Sequence, residues 1–359
     1  MNKMTFINKL KIIFVFCLCL WLLFPGSLLA KKRITIDSRL NMTILSGIDK
    51  VNRGEYEEAM KLFKQVIEQD KESPLGYFYT AAVYEVLMQN YRNRSFNKKF
   101  NFYINGAIEK GEQLAKKYQN DELLYFYLGG AYGYRAIDRG EAGNWFGAFV
   151  DAVKGAEYLE KAIEINPTLY DAYYGFGVYK YWRSVKSKVL WFLPFFTDER
   201  QAGINDIRLA ISRGQYAQNE AIVVLAGIYR NEKDYHAALE LTETLLAKYP
   251  DSIHTLRLKG IILVDLERWT EAAQIFDKLQ GQLKNDTWRS PETEMEIEYY
   301  ITLIHLKQKR IIEYKKGCKR LLELKEKVRR QPHNDTIAQM IKDIDVLCRV
   351  PEPEPEGDA

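Results

Sequence analysis

Residues 225–250, LAGIYRNEKDYHAALELTETLLAKYP, recur 34 residues later as KGIILVDLERWTEAAQIFDKL (259–279). Ala226 maps to Gly260, Tyr235 to Trp269 and Ala238 to Ala272. Self-similarity at a fixed period leaves a chain few architectures, because each unit must bury its apolar face on the next. The second half of the unit is present again in GEYEEAMKLFKQVI (54–67), through Tyr56, Ala59 and Phe63, and in YLEKAIEINP (158–167), which ends on a proline stop. Apolar residues beyond residue 40 recur at three- and four-residue spacing, and sustained β-branched alternation is absent. The pattern predicts helices throughout.

The middle of the chain follows a second period. Tyr77, Tyr125 and Tyr173 are 48 residues apart, and so are Ala81, Gly129 and Gly177. Ala107, Gly155 and Gly203 keep that spacing, as do Leu114, Ala162 and Ala210. Three consecutive units therefore share an insertion between their two helices. If helical, its 14 residues add about 21 Å of path, or roughly two turns to each helix. Seven units are expected: one over 40–72, three long ones over 73–218, and three of ordinary length to about 330. Residues 335–347, DTIAQMIKDIDVL, read as a capping helix, and 351–359, PEPEPEGDA, as an acidic tail too poor in apolar residues to fold.

The motifs identify the family. YFYLGGAY (125–132) resembles the first helix of the tetratricopeptide repeat through Tyr125, Leu128, Gly129 and Tyr132, and 235–250 resembles the second through Tyr235, Ala238 and the exit Pro250. The resemblance covers residues 40–330. It implies an all-α, right-handed superhelical solenoid of helix-turn-helix units, in which small residues let paired helices approach and large ones fill the gap. It also implies that the first helices line a concave groove. Relatives that clamp a peptide's C-terminal carboxylate carry basic and amide residues there. This chain carries Phe78, Tyr79, Phe126, Tyr127 and Tyr174 instead. Two readings stand: a wall for an apolar or extended ligand with hydroxyls at its wet edge, or rings buried by tighter superhelical packing.

The inserted segments form the second candidate surface. Each holds several aromatics, and Tyr134-Arg135 and Trp182-Arg183 stand at corresponding positions. The third segment includes VLWFLPFF (189–196), where Pro194 opposes one uninterrupted helix. Burying such a ring is worth about 1.5–3 kcal/mol, so the aromatics of this lobe are expected to pack on one another. Trp191, Phe195 and Phe196 are the rings left for a partner or a membrane surface.

The N-terminus reads as an export signal over 1–30. Lys3, Lys9 and Lys11 precede the apolar run IIFVFCLCLWLLF (12–24), and Pro25 and Gly26 end it. Leu28 fits poorly at the small-residue position before the cut, which leaves an uncleaved anchor open. The expected location is the periplasm or cell envelope. Cleavage would leave Cys318 and Cys348. An antiparallel hairpin turning near Pro332 sets them about equally far from the turn, so one bridge and two buried thiols both fit.

Chemistry is excluded on several counts. The formal charge is +4, three of it in the signal segment, which gives no electrostatic case for nucleic acid. His236, His254, His305 and His333 lack metal-ligand spacing, and no HExxH, GxSxG or P-loop motif is present. No catalytic residue, metal or cofactor is expected. The sequence supports a non-enzymatic scaffold holding protein or peptide partners, with a carrier or sensor of a hydrophobic small molecule as the alternative.

Overall fold

The structure, a computed structural model, describes residues 34–186, 197–330 and 335–349. Trp191, Phe195 and Phe196 lie outside them. Fifteen α-helices are present among the described residues. They form seven antiparallel pairs: α1 (Ser38–Asn52) with α2 (Tyr56–Gln69), α3 (Leu75–Tyr91) with α4 (Asn97–Ala115), α5 (Glu122–Glu141) with α6 (Trp145–Ile165), α7 (Tyr170–Lys186) with α8 (Arg200–Arg213), α9 (Gln218–Asn231) with α10 (Tyr235–Lys248), α11 (Ile253–Asp265) with α12 (Trp269–Leu283), and α13 (Pro291–Lys307) with α14 (Ile311–Arg329). The last helix, α15 (Asp335–Leu347), packs on α13 and α14. The architecture is an all-α solenoid.

Close approach within a pair is set by glycine. A Cβ added to Gly177 would lie 2.5 Å from the Gly203 carbonyl oxygen, and one added to Gly203 would lie 2.5 Å from that of Gly177. The α7 and α8 backbones therefore touch, and the Gly129–Gly155 contact repeats this between α5 and α6.

The extra length of the third pair is helical. Its α5 and α6 run 20 and 21 residues, against 14 and 14 for α9 and α10, close to two added turns each. The second pair departs from this. Arg92 takes a left-handed backbone (φ 49), Asn93 caps a short 3-10 turn over Arg94–Phe96, and the insertion becomes a corner. In the fourth pair the chain between α7 and α8 falls largely outside the described residues.

The array does not stay open. Helix α3, LGYFYTAAVYEVLMQNY, is mostly apolar and buries 13 of its 17 residues, on every side. A helix of that kind belongs at the centre of a fold. It touches α11 and α13 as well as its neighbours in sequence. Further bonds join the first two pairs to later ones: Tyr216 donates to Asn41, Tyr249 to Asp49, Tyr91 to Asp286, and Ser290 to the Tyr91 carbonyl. The superhelix thus closes on itself around α3.

At the far end Met295, Tyr314, Leu321, Ile337 and Ile344 make a separate small core under α15. Cys318 is bonded there to Cys348, with Cα atoms 5.5 Å apart. Of the two fates open to this pair, the structure takes the bridge.

Candidate functional site

The four inner-face rings of α3 and α5 are structural. Phe78, Tyr79, Phe126 and Tyr127 are each no more than 8% exposed. Phe78 meets Tyr127 edge to face at 5.4 Å, Tyr79 stacks on Phe63 at 5.0 Å, and the Tyr79 and Tyr127 hydroxyls are 3.1 Å apart. Burial pushes both phenols well up. Of the two readings of this stripe, these four rings follow the packing one. The reason is closure, since the centre that an open solenoid leaves as a groove is filled here. Tyr174, on α7, remains half-buried.

What stays open beside Tyr174 is a carboxylate. Glu220, in the first turn of α9, accepts the Tyr134 hydroxyl on both oxygens at 2.9 Å. The Tyr174 hydroxyl stands by the same group. Water reaches Glu220, yet the surrounding helices crowd it. Desolvation raises its pKa, and hydrogen bonding from Tyr134 and Tyr174 offsets part of that rise. Tyr134 leans on the Phe78 ring at 5.6 Å. Three pairs of the array therefore build one small site. Its sequence signal was faint: Glu220 stands six residues before Ala226, as Asp171 stands six before Gly177. Asp171 is committed elsewhere, accepting the amides of Gln215, Tyr216 and Ala217 to fix the α8–α9 loop. A cavity of about 320 Å³ opens next to that loop, lined by Ile36, Leu123, Leu169, Asp171, Arg213 and Tyr216.

The second site is the tip of the α5–α6 hairpin. Trp145, Phe146 and Phe149 are 60%, 80% and 62% exposed, with Val150 and Ile137 exposed beside them in sequence and on the facing helix. Positions i, i+1, i+4 and i+5 of a helix lie on one side, so α6 presents an apolar crest. Its base is rigid. Asn144 caps α6 by accepting from Gly147, and buried Asp151 is held by Arg135 at 2.7 and 2.8 Å and by Arg139 at 2.8 Å. The Lys186 ammonium lies 5.9 Å from the Trp145 ring. Phe102 of α4 stands at the position equivalent to Val150 and is also exposed. The expectation that the inserted aromatics pack on one another fails for Trp145, Phe146 and Phe149, which are exposed.

A third cluster is buried and holds the closure. Arg92 grips Glu296 at 3.0 and 3.1 Å, and Arg257 reaches it at 3.5 Å. Arg257 also donates to the carbonyls of Asn90 and Gln89 at 2.8 and 2.9 Å. His254 sits 3.2 Å from the Asn90 side chain. Burial opposes ionisation of Glu296, but the two guanidiniums win and hold its pKa at about 2. Burial, then Arg257 and Arg92, depress His254 to about 3, so its imidazole is neutral.

Helix pairs of fixed register, packed small against large, define an α-solenoid of the kind built for interaction. Residues 220–252 match the sequence model of the tetratricopeptide repeat. The match covers one repeat of the chain, and the fold around it is that of a tetratricopeptide-repeat solenoid. No curated protein matches it significantly in sequence. Its fold is similar to a chain of the APC/C hetero-tetramer Cut9–Hcn1, at 12% identity and a TM-score of 0.55 over 92% of this chain and 52% of that one. It is also similar to YrrB, described as a TPR protein with an unusual peptide-binding site, at 11% identity and a TM-score of 0.42 over 65% and 97%. A thermophilic TPR protein of Thermus thermophilus is similar at 17% identity and a TM-score of 0.40 over 62% and 99%.

Proposed function

We propose that this protein is a non-catalytic scaffold of the bacterial cell envelope that holds partner polypeptides on the tip of its extended repeats. The observation that carries the reading is the crest of Trp145, Phe146 and Phe149, exposed on a base that ion pairs hold rigid. Exposed apolar surface costs solubility, and clustered on an ordered element it marks an interaction surface. Aromatic anchors of this type carry most of the energy of protein interfaces. The Cys318–Cys348 bridge supports export, because such bonds persist in oxidising compartments, and so does the signal-like run 12–24.

The alternative, a carrier of hydrophobic small molecules, draws less support. The rings that would line its groove spend their faces on one another. Contact with a membrane surface remains an arm of the test, since Trp145 beside Lys186 has the aromatic–basic character of an interfacial anchor.

A photo-crosslinker placed at position 149 should capture discrete partners in envelope preparations. Phe146→Ser/Trp145→Ser should abolish the capture while leaving the melting temperature unchanged. Equal capture by the variant would refute a crest-borne interface. Flotation of wild type but not variant with lipid vesicles, without protein capture, would reassign the crest to the membrane.

A further inference from the structure

Glu220 belongs to a surface that the crest does not use. Its carboxylate is ringed by aromatic side chains from three helices: Tyr134 of α5 on both oxygens, Tyr174 of α7 beside them, and Phe78 of α3 backing Tyr134. Among the described residues Glu220 makes no ion pair, and only neutral hydroxyls offset its charge. The carboxylate is exposed to solvent, and its neutral donors balance only part of its charge. A cation would relieve the rest, and aromatic walls favour cations over neutral or anionic groups.

Geometry narrows the kind of cation. Both carboxylate oxygens already accept from Tyr134, so the two parallel bonds that a guanidinium prefers are not free. An ammonium is compact and needs only one remaining lone pair, with its other donors left for the ring faces and water. We propose that this collar binds a primary ammonium group, carried by a lysine side chain of a partner polypeptide or by a free alkylamine. The closure around α3 limits the site to one such group, since the rest of the inner face is packed.

Calorimetric titration of the full-length protein with pentylamine, pentanol and a short peptide in lysine, arginine and norleucine versions tests this. Pentylamine and the lysine peptide should bind wild type. Pentanol and the norleucine peptide should not, and the arginine peptide should bind several-fold more weakly. Glu220→Gln keeps an acceptor for Tyr134 and should weaken both ligands at least tenfold, with Tyr134→Phe showing a smaller loss. A lysine peptide tighter than pentylamine assigns the site to polypeptides, and the reverse order to small amines. Binding equal in wild type and Glu220→Gln, binding of the norleucine peptide equal to the lysine one, or no heat from either amine overturns the proposal. The peptide comparison stands on wild-type protein alone and does not depend on how any variant folds.

Discussion

Replacing Glu296 by glutamine should open the closed array. Glu296 bridges Arg92 and Arg257, and all three are buried or nearly so. Removing one partner of such a set leaves uncompensated buried charge, at a cost of about 3–5 kcal/mol. The pKa gives a second estimate. The carboxyl falls from an ordinary 4.5 to about 2 on folding, a difference worth about 3 kcal/mol. The two agree in scale, and either is a large part of the 5–15 kcal/mol that holds a typical domain. The sign with pH follows from the same values. A depressed folded pKa means stability that is present above the unfolded value and lost as pH falls toward the folded one. His254, lowered from 6.5 to about 3, acts in the same direction at higher pH. Together they should remove about 4 kcal/mol between pH 7 and pH 4, most of it through His254. Urea unfolding at both pH values measures this, and small-angle scattering reads the closure. Glu296→Gln should unfold at lower urea and expand, and His254→Asn should flatten the pH dependence. A change under about 1 kcal/mol for Glu296→Gln with unaltered scattering, or an unaltered pH slope for His254→Asn, would refute the closure.

Three further perturbations test other parts of the fold. Burial lifts Glu85 to about 8, so its contribution is complete below the unfolded value of 4.5 and is lost as pH rises to 8. Glu85→Gln should therefore gain on wild type across that range, by up to about 4 kcal/mol in urea unfolding. Cys318→Ser opens a link between residues 30 apart in sequence and should cost about 3–4 kcal/mol. The loss should be confined to α13–α15 in hydrogen exchange, because repeats transmit stability mainly to their neighbours. Gly203→Ala drives a methyl into the Gly177 carbonyl and should lower stability by about 1–3 kcal/mol, as overpacking does; an unchanged melting temperature would mean that the helices separate freely.

Much of this fold is legible in the sequence because a repeat encodes contacts between neighbours. Gly177 and Gly203 occupy the 48-residue register, and that register is the α7–α8 contact. The added turns of α5 and α6 follow from the same spacing. Contacts outside the repeat leave no periodic trace. Arg257 reads as a polar-face residue within HTLRLKG, yet it meets Asn90 from 167 positions away. Helix α3 did carry a warning, since apolar residues on every side do not suit one wall of an open groove. Glu220 was missed for a related reason, and Tyr134 and Tyr174, though each singled out in the sequence, were not joined to it. They sit on three different pairs, and only the curvature of the array brings them together.

Closure then decides where recognition can occur. An open solenoid offers partners its inner face, but here α3 fills that face and the Arg92–Glu296–Arg257 cluster seals it. The outer surface remains, and there α6 exposes Trp145, Phe146 and Phe149. Apart from the crest there is one exposed carboxylate, Glu220, held by the Tyr134 hydroxyl. The insertion and the closure thus act on different faces of the array, one filled and one left exposed. A partner that lays an apolar surface on the crest and a group that inserts an ammonium at Glu220 would meet different faces of the same rigid array. Because Tyr134 contacts Glu220 and the adjacent Arg135 holds Asp151 beneath the crest, helix α5 joins the two.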